Sequence, residues 1–159
     1  MVECRLREMR GDEYEEFRAR LVREYAAAHV AAGDWASDGA QARAEAEMDE
    51  LLPDGPHTDG SFVMTAEDEA GGRVGFIWVA LKGPSSSRGA WIYDIEVDAA
   101  RRGQGYGRAL LAAAEAETLR RGADTIALNV FGANTVARSL YDSAGYEVTT
   151  LQMRKRFSA

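Results

Sequence analysis

The sequence predicts an α/β (α+β) fold in which a mixed central sheet of six to seven strands is flanked by about four helices. Two features predict it. Short β-rich apolar segments fill the middle of the chain, and helical spacing takes over after residue 100. The resulting element order is β-α-α-β-β-β-α-β-α-β. A run of strands followed by β-α-β-α-β indicates antiparallel and parallel pairing in one sheet, with helices on both faces.

Six segments have the period or composition of strands. Their residues alternate between apolar and polar, or form short apolar runs bounded by turn residues. Gly, Pro and Ser mark the turns, as in the segment GPSSSRG at residues 83–89. The predicted strands are residues 2–9, 61–68, 73–82, 90–97, 125–130 and 146–157.

Four segments have the spacing of helices. In the third, Tyr106, Leu110 and Ala114 recur four residues apart and share one helical face. Asp12 and Asn134 are predicted N-caps, because short oxygen-bearing side chains accept from free N–H groups at a helix start. The predicted helices are residues 12–32, 35–52, 106–121 and 134–144.

Length and composition favour one domain over residues 1–159. The chain is 46% apolar and 28% charged, as ordinary soluble domains are. Cys4 is the only cysteine, which excludes an intrachain disulfide and fits a reducing compartment. The charged N-terminus lacks the apolar core of a signal peptide, and no apolar run approaches the roughly 20 residues of a membrane helix. We therefore expect a cytoplasmic protein without a membrane partner.

The charge balance bears on the partners. A net charge of −7 argues against a nucleic-acid binder, which needs a basic face, and favours cationic partners. The two histidines, His29 and His57, are far apart in the sequence. With a single cysteine beside them, they do not predict a structural zinc site, and we expect no metal.

The stretch ARRGQGYGRALL, which follows a predicted strand and opens a helix, is the most informative segment. Glycines leave its backbone uncovered, so that main-chain N–H groups can approach an anion at the positive end of the helix dipole. Arg102 and Arg108 flank it and can add charge-assisted hydrogen bonds to phosphate oxygens. Its glycines are Gly103, Gly105 and Gly107.

Three pyrophosphate-binding motifs compete for this stretch. A Walker loop needs Gly-Lys-Ser/Thr, which the sequence lacks. A dinucleotide fingerprint would place its third glycine at position 108, where Arg108 stands. The coenzyme A pyrophosphate loop, Arg/Gln-x-x-Gly-x-Gly/Ala, is matched in full by residues 102–107. A glycine-rich turn that merely allows a tight bend is the remaining alternative.

With these motifs, the chain resembles the GNAT superfamily of N-acetyltransferases. The blocks WIYDIEV, RRGQGYGRALL and LNVFGANTVARSLYDSAGYEV occur in that family's order and spacing, and the resemblance extends from about residue 74 to 153. Residues before it match only in their strand-helix-helix pattern. The combination of motifs is especially similar to the small bacterial members of the YycN type.

The resemblance implies a GNAT fold whose sheet splays open like a V between the fourth and fifth strands, here 90–97 and 125–130, with acyl-CoA in that cleft. Main-chain groups near Ile95 and Val97 would pair with pantetheine, and amides of the glycine-rich turn would hold the pyrophosphate. The implied coenzyme-binding residues are Ile95, Val97, Arg102, Gly103, Gln104, Gly105, Tyr106, Gly107, Arg108, Asn134 and Tyr141.

Tyr141 is the candidate general acid, because it falls on the tyrosine that family members place near the thioester sulfur. A phenol with a pKa near 10 can donate a hydrogen bond to a developing thiolate. The alternative is core packing, because Ala137, Leu140 and Ala144 share an apolar helical face with it.

Glu96 is the candidate general base. A lysine-like ammonium must lose a proton first, which costs about 4.6 kcal/mol at pH 7. Strict strand alternation places Asp94 and Glu96 on the face opposite Trp91, Tyr93, Ile95 and Val97. Trp91 stands about where some family members carry a catalytic glutamate, so that role is lost here. The alternative for Glu96 is a surface carboxylate.

The resemblance implies acetyl transfer from acetyl-CoA to a primary amine in a ternary complex. The amine would belong to a small molecule or to a protein or peptide, and the family is often dimeric. The acceptor would lie at the loop between the first two helices, residues 29–39, unless that loop is simply solvated. A non-catalytic acyl-CoA-binding regulatory module of the same fold is the alternative function.

Overall fold

The computed structural model describes residues 1–82 and 88–158, so most of the predicted turn at 83–89 lies outside the described residues. The chain divides into two units, Met1–Asn129 and Val130–Ala159. The first unit contains a five-stranded sheet in the order β1-β2-β3-β4-β5. Its strands are β1 (Arg5–Glu8), β2 (Ser61–Glu67), β3 (Arg73–Leu81), β4 (Gly89–Val97) and β5 (Thr125–Leu128).

The pairing is mixed, which confirms the predicted fold class. Strands β1 to β4 pair antiparallel, and β5 joins β4 in parallel. The strand count was overestimated, because residues 146–157 belong to no strand in the described part of the chain. A strand forms its hydrogen bonds with a neighbour rather than within itself, so alternation alone does not secure one.

Strand β4 carries a bulge at Tyr93. Trp78 lies opposite Asp94, whereas the next residue of β3, Val79, lies opposite Ile92, so Tyr93 is an extra residue in the ladder. The bulge shifts the alternation that the sequence predicts. The prediction is correct for Ile95 and Val97 and wrong for Trp91 and Tyr93. Trp91 pairs with Ala80, two residues from Trp78, and the Tyr93 ring stacks on Trp78 at 4.4 Å.

Helices cover both faces of the sheet. Helices α1 (Gly11–Ala32) and α2 (Ala40–Leu51) enclose a core in which Phe17 meets Phe76 and Trp78 edge to face. Helix α3 (Tyr106–Arg120) contacts β3 and β4 through buried residues such as Leu110. Ile77, whose side chain alternates with those of Phe76 and Trp78, is also fully buried, as a sheet covered on both faces requires.

The starts of α1 and α2 differ from their predicted positions. Helix α1 starts at Gly11, and the Glu13 carboxylate, not Asp12, accepts from the Arg10 N–H at 3.0 Å. Helix α2 starts five residues later than predicted, at Ala40, after Gly39 adopts a φ of 79°. A left-handed residue cannot lie inside a right-handed helix, so Gly39 sets this boundary.

The second unit contains helix α4 (Thr135–Ser143). Asn134 caps it as predicted, because its Oδ1 accepts from the Ala137 N–H at 3.2 Å. Tyr141 is buried, and its ring centroid lies 5.5 Å from that of Tyr146. Residues 146–158, which follow, have no regular secondary structure.

Two kinds of feature are missing from residues 1–82 and 88–158. No helix in these ranges has the length and apolar character needed to cross a bilayer. Nor do three or more His, Cys, Asp or Glu side chains converge there as a metal site would require.

Candidate active site

The glycine-rich turn leads from β4 into α3. Gly103 and Gly105 have φ angles of 72° and 91°, in the left-handed region that glycine adopts without strain. A Cβ added at Gly105 would lie 2.9 Å from a methyl carbon of Val2, whereas a Cβ at Gly103 would meet nothing within 4 Å. Both conformation and space therefore favour glycine at position 105.

The start of α3 fits an anion. Gly105 is its N-cap, and no side chain in the described part of the chain caps it. The N–H groups of the first helical positions lack an intrahelical acceptor, as at every helix start, and form the positive end of the helix dipole. Since Gly105 and Gly107 add no side chain, the main chain at this end is open to a ligand. The residues present therefore fit the pyrophosphate of a coenzyme.

Two side chains of the turn bind neighbouring protein groups. Gln104 Nε2 donates to the Ala100 carbonyl at 2.9 Å. The Tyr106 ring is buried, and the Arg101 guanidinium carbon lies 5.5 Å from its centroid. The side chains of Gln104 and Tyr106 therefore contact other protein groups. What these two residues offer to a ligand is their main-chain groups.

Arg102 joins the turn to β4. Its Nη2 lies 2.6 Å from Glu96 Oε1, and its Nε donates to the Val97 carbonyl at 3.0 Å. Arg20, on α1, approaches the other Glu96 oxygen at 3.9 Å. The candidate base thus lies between two guanidinium groups, and the closer one belongs to a candidate phosphate ligand.

The main chain of β4 offers further hydrogen-bonding groups. The Asp98 N–H donates to the Val74 carbonyl of β3 at 2.8 Å. Because successive peptide groups of a strand point to opposite sides, the N–H and C=O of Ile95 and Val97 point away from β3. Strand β4 pairs with β5 only over Gly89–Ile92, so these groups face the side where the two strands have parted. An extended ligand can pair with β4 only on that side.

Asp94 and Arg20 form an ion pair on the face of β4 that also carries Glu96. Arg20 Nη2 lies 2.7 Å from Asp94 Oδ2, and its Nη1 lies 3.1 Å from Glu24. Burial raises the pKa of Asp94, and the hydrogen bond from Arg20 offsets part of that rise. Sequence reasoning missed Arg20. Its spacing of three residues from the core residue Phe17 was the available signal that it faces the sheet.

The loop between α1 and α2, where the resemblance implies the acceptor site, is packed. The Trp35 and His29 rings stack at 4.2 Å, and the Arg43 guanidinium carbon lies 4.3 Å from the Trp35 ring centroid. Asp34 Oδ2 lies 3.2 Å from His29 Nδ1. Asp38 is exposed. These contacts give the loop a fixed aromatic surface with carboxylates beside it.

The candidate residues fall into two groups. The first unit brings Glu96, Ile95, Val97 and the glycine-rich turn from Arg102 to Arg108 into one region. Asn134 and Tyr141 belong to the second unit, where Asn134 begins the helix that carries Tyr141.

Comparison with known families agrees with this architecture. The model of the Acetyltransferase (GNAT) family matches residues 14–146, most of the chain. The chain belongs to the GNAT acetyltransferase family. The match includes the β4 strand, the glycine-rich turn and α4 of this GNAT protein.

Individual relatives are similar over nearly the whole GNAT chain. The uncharacterized N-acetyltransferase YdgE of Bacillus subtilis is 28% identical over 151 residues, which are 95% of this chain and 96% of YdgE. The crystal structure of the putative acetyltransferase YycN from B. subtilis superposes with a TM-score of 0.86 at 28% identity, and covers 98% of this chain and 99% of its own. This confirms the similarity to YycN that the motifs indicate.

A third similarity covers a smaller share of the relative. The mycothiol acetyltransferase of Salinispora tropica is 34% identical over 120 residues, which are 74% of this chain but 36% of that enzyme.

Proposed function

We propose that this GNAT protein transfers an acetyl group from acetyl-CoA to a primary amine by direct attack in a ternary complex. The observation that carries the proposal is the uncapped, glycine-lined start of α3 beside the outward-facing main chain of β4. YdgE and YycN are both named as uncharacterized N-acetyltransferases, which supports nitrogen as the acceptor atom.

The coenzyme would bind through main-chain groups of the glycine-rich turn and β4, and through Asn134. N–H groups of the turn from Gly103 to Arg108 would hold the pyrophosphate, and main-chain groups of Ile95 and Val97 would pair with pantetheine. Asn134 would contact pantetheine in addition to capping α4. When bound, acetyl-CoA supplies an acyl group activated as a thioester. The protein would contribute chiefly by orienting two bound substrates.

Proton transfer would use Glu96 and Tyr141. Glu96 would take a proton from the ammonium form of the acceptor, directly or through a water molecule. The freed nitrogen lone pair would form the new bond to the carbonyl carbon while the bond from that carbon to sulfur breaks. The Tyr141 hydroxyl would then protonate the departing sulfur. The nitrogen loses its second proton as the amide forms, and that proton would pass through water to the Tyr141 oxygen. A positioned proton donor typically contributes about 10²- to 10⁴-fold to a rate.

The acceptor would be a cationic amine bound near the loop between α1 and α2. Asp34 and Asp38 supply negative charge there, the Trp35 and His29 rings supply an aromatic surface, and the net charge of −7 attracts cations over a longer range. The amine would belong to a small molecule or to a protein.

Because the family match spans parts of both units, we propose one acyltransferase domain over residues 1–159. A homodimer stays a prediction.

A thiol-release assay with acetyl-CoA and a broad panel of amines tests this function. We expect thiol release with at least one amine. Tyr141→Phe should keep acetyl-CoA affinity while lowering turnover at least about 100-fold. Tyr14→Phe is the matched control and should leave turnover unchanged, because Tyr14 is a partly buried residue of α1 that packs against the hydrophobic core.

Three results would speak against the proposal. Unchanged turnover in Tyr141→Phe would remove the role of that hydroxyl as an acid. If the protein binds acetyl-CoA but no amine in the panel causes release of the coenzyme A thiol, the non-catalytic module would be favoured. A protein that binds NAD or ATP but not acetyl-CoA would rule out both functions.

A further inference from the structure

Arg102 binds two groups that the proposed reaction also needs. One is the Glu96 carboxylate, the candidate base, at 2.6 Å. The other is the Val97 carbonyl, at 3.0 Å, on the main-chain edge where pantetheine would pair. A guanidinium presents its donors in a fixed fork, so a single side chain can hold both groups at once.

The Arg102 contacts are easily exchanged. Its side chain is 60% exposed and that of Glu96 is 30% exposed. Exposed ion pairs of this kind contribute little to stability. A pyrophosphate at the adjacent turn would offer oxygens of greater total charge, and guanidinium groups bind phosphate in a bidentate geometry.

Glu96 would stay oriented after Arg102 leaves. Arg20 approaches its second oxygen at 3.9 Å, and Arg20 is itself fixed by Asp94 at 2.7 Å and Glu24 at 3.1 Å. Loss of the 2.6 Å contact would therefore free one carboxylate oxygen to accept a proton without releasing the side chain from the face of β4.

The geometry points to Arg102 as a positioning residue that exchanges Glu96 and the Val97 carbonyl for the coenzyme pyrophosphate, so that the base is released only when the acyl donor is bound. This inference rests on the proposed function and links the coenzyme site to the candidate base. Binding of the coenzyme and freedom of the base are then coupled, and the coupling acts equally in both directions.

Calorimetric titration of acetyl-CoA into four proteins tests the exchange: the unmodified chain, Glu96→Gln, Arg102→Gln and the double variant. Glu96 competes with the pyrophosphate for Arg102. Glu96→Gln should therefore tighten acetyl-CoA binding by about two- to fivefold, the range expected for an exposed pair. Arg102→Gln should weaken binding about tenfold or more, because a charge-assisted contact is lost. In the Arg102→Gln background, Glu96→Gln should change the affinity for acetyl-CoA no more than a charge control, Glu24→Gln, does.

Glu24→Gln is that control, because it removes the same charge near Arg20 without a contact to Arg102. Equal tightening by Glu24→Gln and Glu96→Gln would reduce the effect to general electrostatics and overturn the exchange. Weaker binding in Glu96→Gln would overturn it as well, because Glu96 would then hold Arg102 ready for the phosphate. The direction in which Glu96→Gln changes the affinity for acetyl-CoA decides between these outcomes, even if Arg102→Gln fails to fold. Absence of acetyl-CoA binding to the unmodified chain would instead refute the proposed function.

Discussion

The close approach of β3 and β4 beside Glu96 depends on the absence of a Cβ atom at Gly75. Gly75 lies opposite Val97 on the neighbouring strand, and a Cβ at position 75 would overlap the carbonyl oxygen of Glu96. The absent side chain therefore lets β3 and β4 approach each other where the candidate base is held. Gly105 has a similar role at the start of α3, where a left-handed φ and the nearby Val2 both favour glycine.

Gly75→Ala should lower the free energy of unfolding by about 2 to 3 kcal/mol, because overpacking against backbone forces the strand to move. Urea unfolding followed by circular dichroism measures the change. Gly11→Ala is the matched control: a Cβ at position 11 meets nothing within 4 Å, and the residue starts α1. We expect the control to stay within about 0.5 kcal/mol of the unmodified chain. Equal stabilities of the two variants would show that the close approach at Gly75 is not required.

Residue identity could be predicted from the sequence better than residue contacts. The glycines of the turn, Asn134 as a cap and the motif position of Arg102 all follow from local spacing. The pairing of Arg102 with Glu96 does not, because it joins the turn to a strand through side-chain geometry. The same is true of Arg20, whose partner Asp94 lies 74 residues further along the chain.

At the scale of elements, the N-terminus of α1 is fixed by a charged network. The Glu13 carboxylate is buried, accepts from the Arg10 N–H at 3.0 Å and pairs with Arg7 at 2.7 Å. Arg7 also binds Glu67 of β2, so the network joins α1 to the sheet. The Arg7 guanidinium lowers the pKa of Glu13 to about 2, from an ordinary value of 4.5.

This pKa predicts acid sensitivity with a definite sign. Because the folded-state value lies below the unfolded one, the stabilisation is fully present above about pH 4.5 and is lost as the pH falls toward 2. Glu13→Gln should therefore cost about 2 to 3 kcal/mol at pH 7, and this difference should shrink steadily below pH 4.5. Urea unfolding of both proteins at pH 7, 4 and 3 measures it.

Asp12→Asn removes an exposed carboxylate from the same helix end and therefore controls for charge. It should change the free energy of unfolding by less than about 1 kcal/mol. A difference between Glu13→Gln and the unmodified chain that stays constant from pH 7 to pH 3 would contradict the network.

Elements with strong periodicity could be predicted, and those that depend on a neighbour could not. Helix α3 and strands β2, β3 and β4 lie within one or two residues of their predicted bounds, because period and turn residues are local signals. The bulge at Tyr93 depends on register with β3, and a strand at residues 146–157 depends on an edge to pair with. Neither the register with β3 nor the presence of a free sheet edge can be predicted from the sequence of the segment alone.

At the scale of the whole molecule, strand order and family membership agree. Antiparallel β1 to β4 and a parallel β5 that leaves β4 after Ile92 give the mixed sheet that the element order predicts. Membership of the GNAT family follows from a match over residues 14–146 and from close superposition on YycN. The acceptor amine does not follow from the fold, since one fold hosts many substrates.

The most direct test of the account compares the affinities of acetyl-CoA and S-acetylpantetheine, which lacks the pyrophosphate, for the unmodified chain and for Gly105→Ala. If the start of α3 holds the diphosphate, acetyl-CoA should bind the unmodified chain at least about tenfold more tightly than S-acetylpantetheine. Gly105→Ala should then lose most of that difference while its affinity for S-acetylpantetheine stays the same. An unchanged acetyl-CoA affinity in Gly105→Ala, or an equal loss for both ligands, would contradict the account.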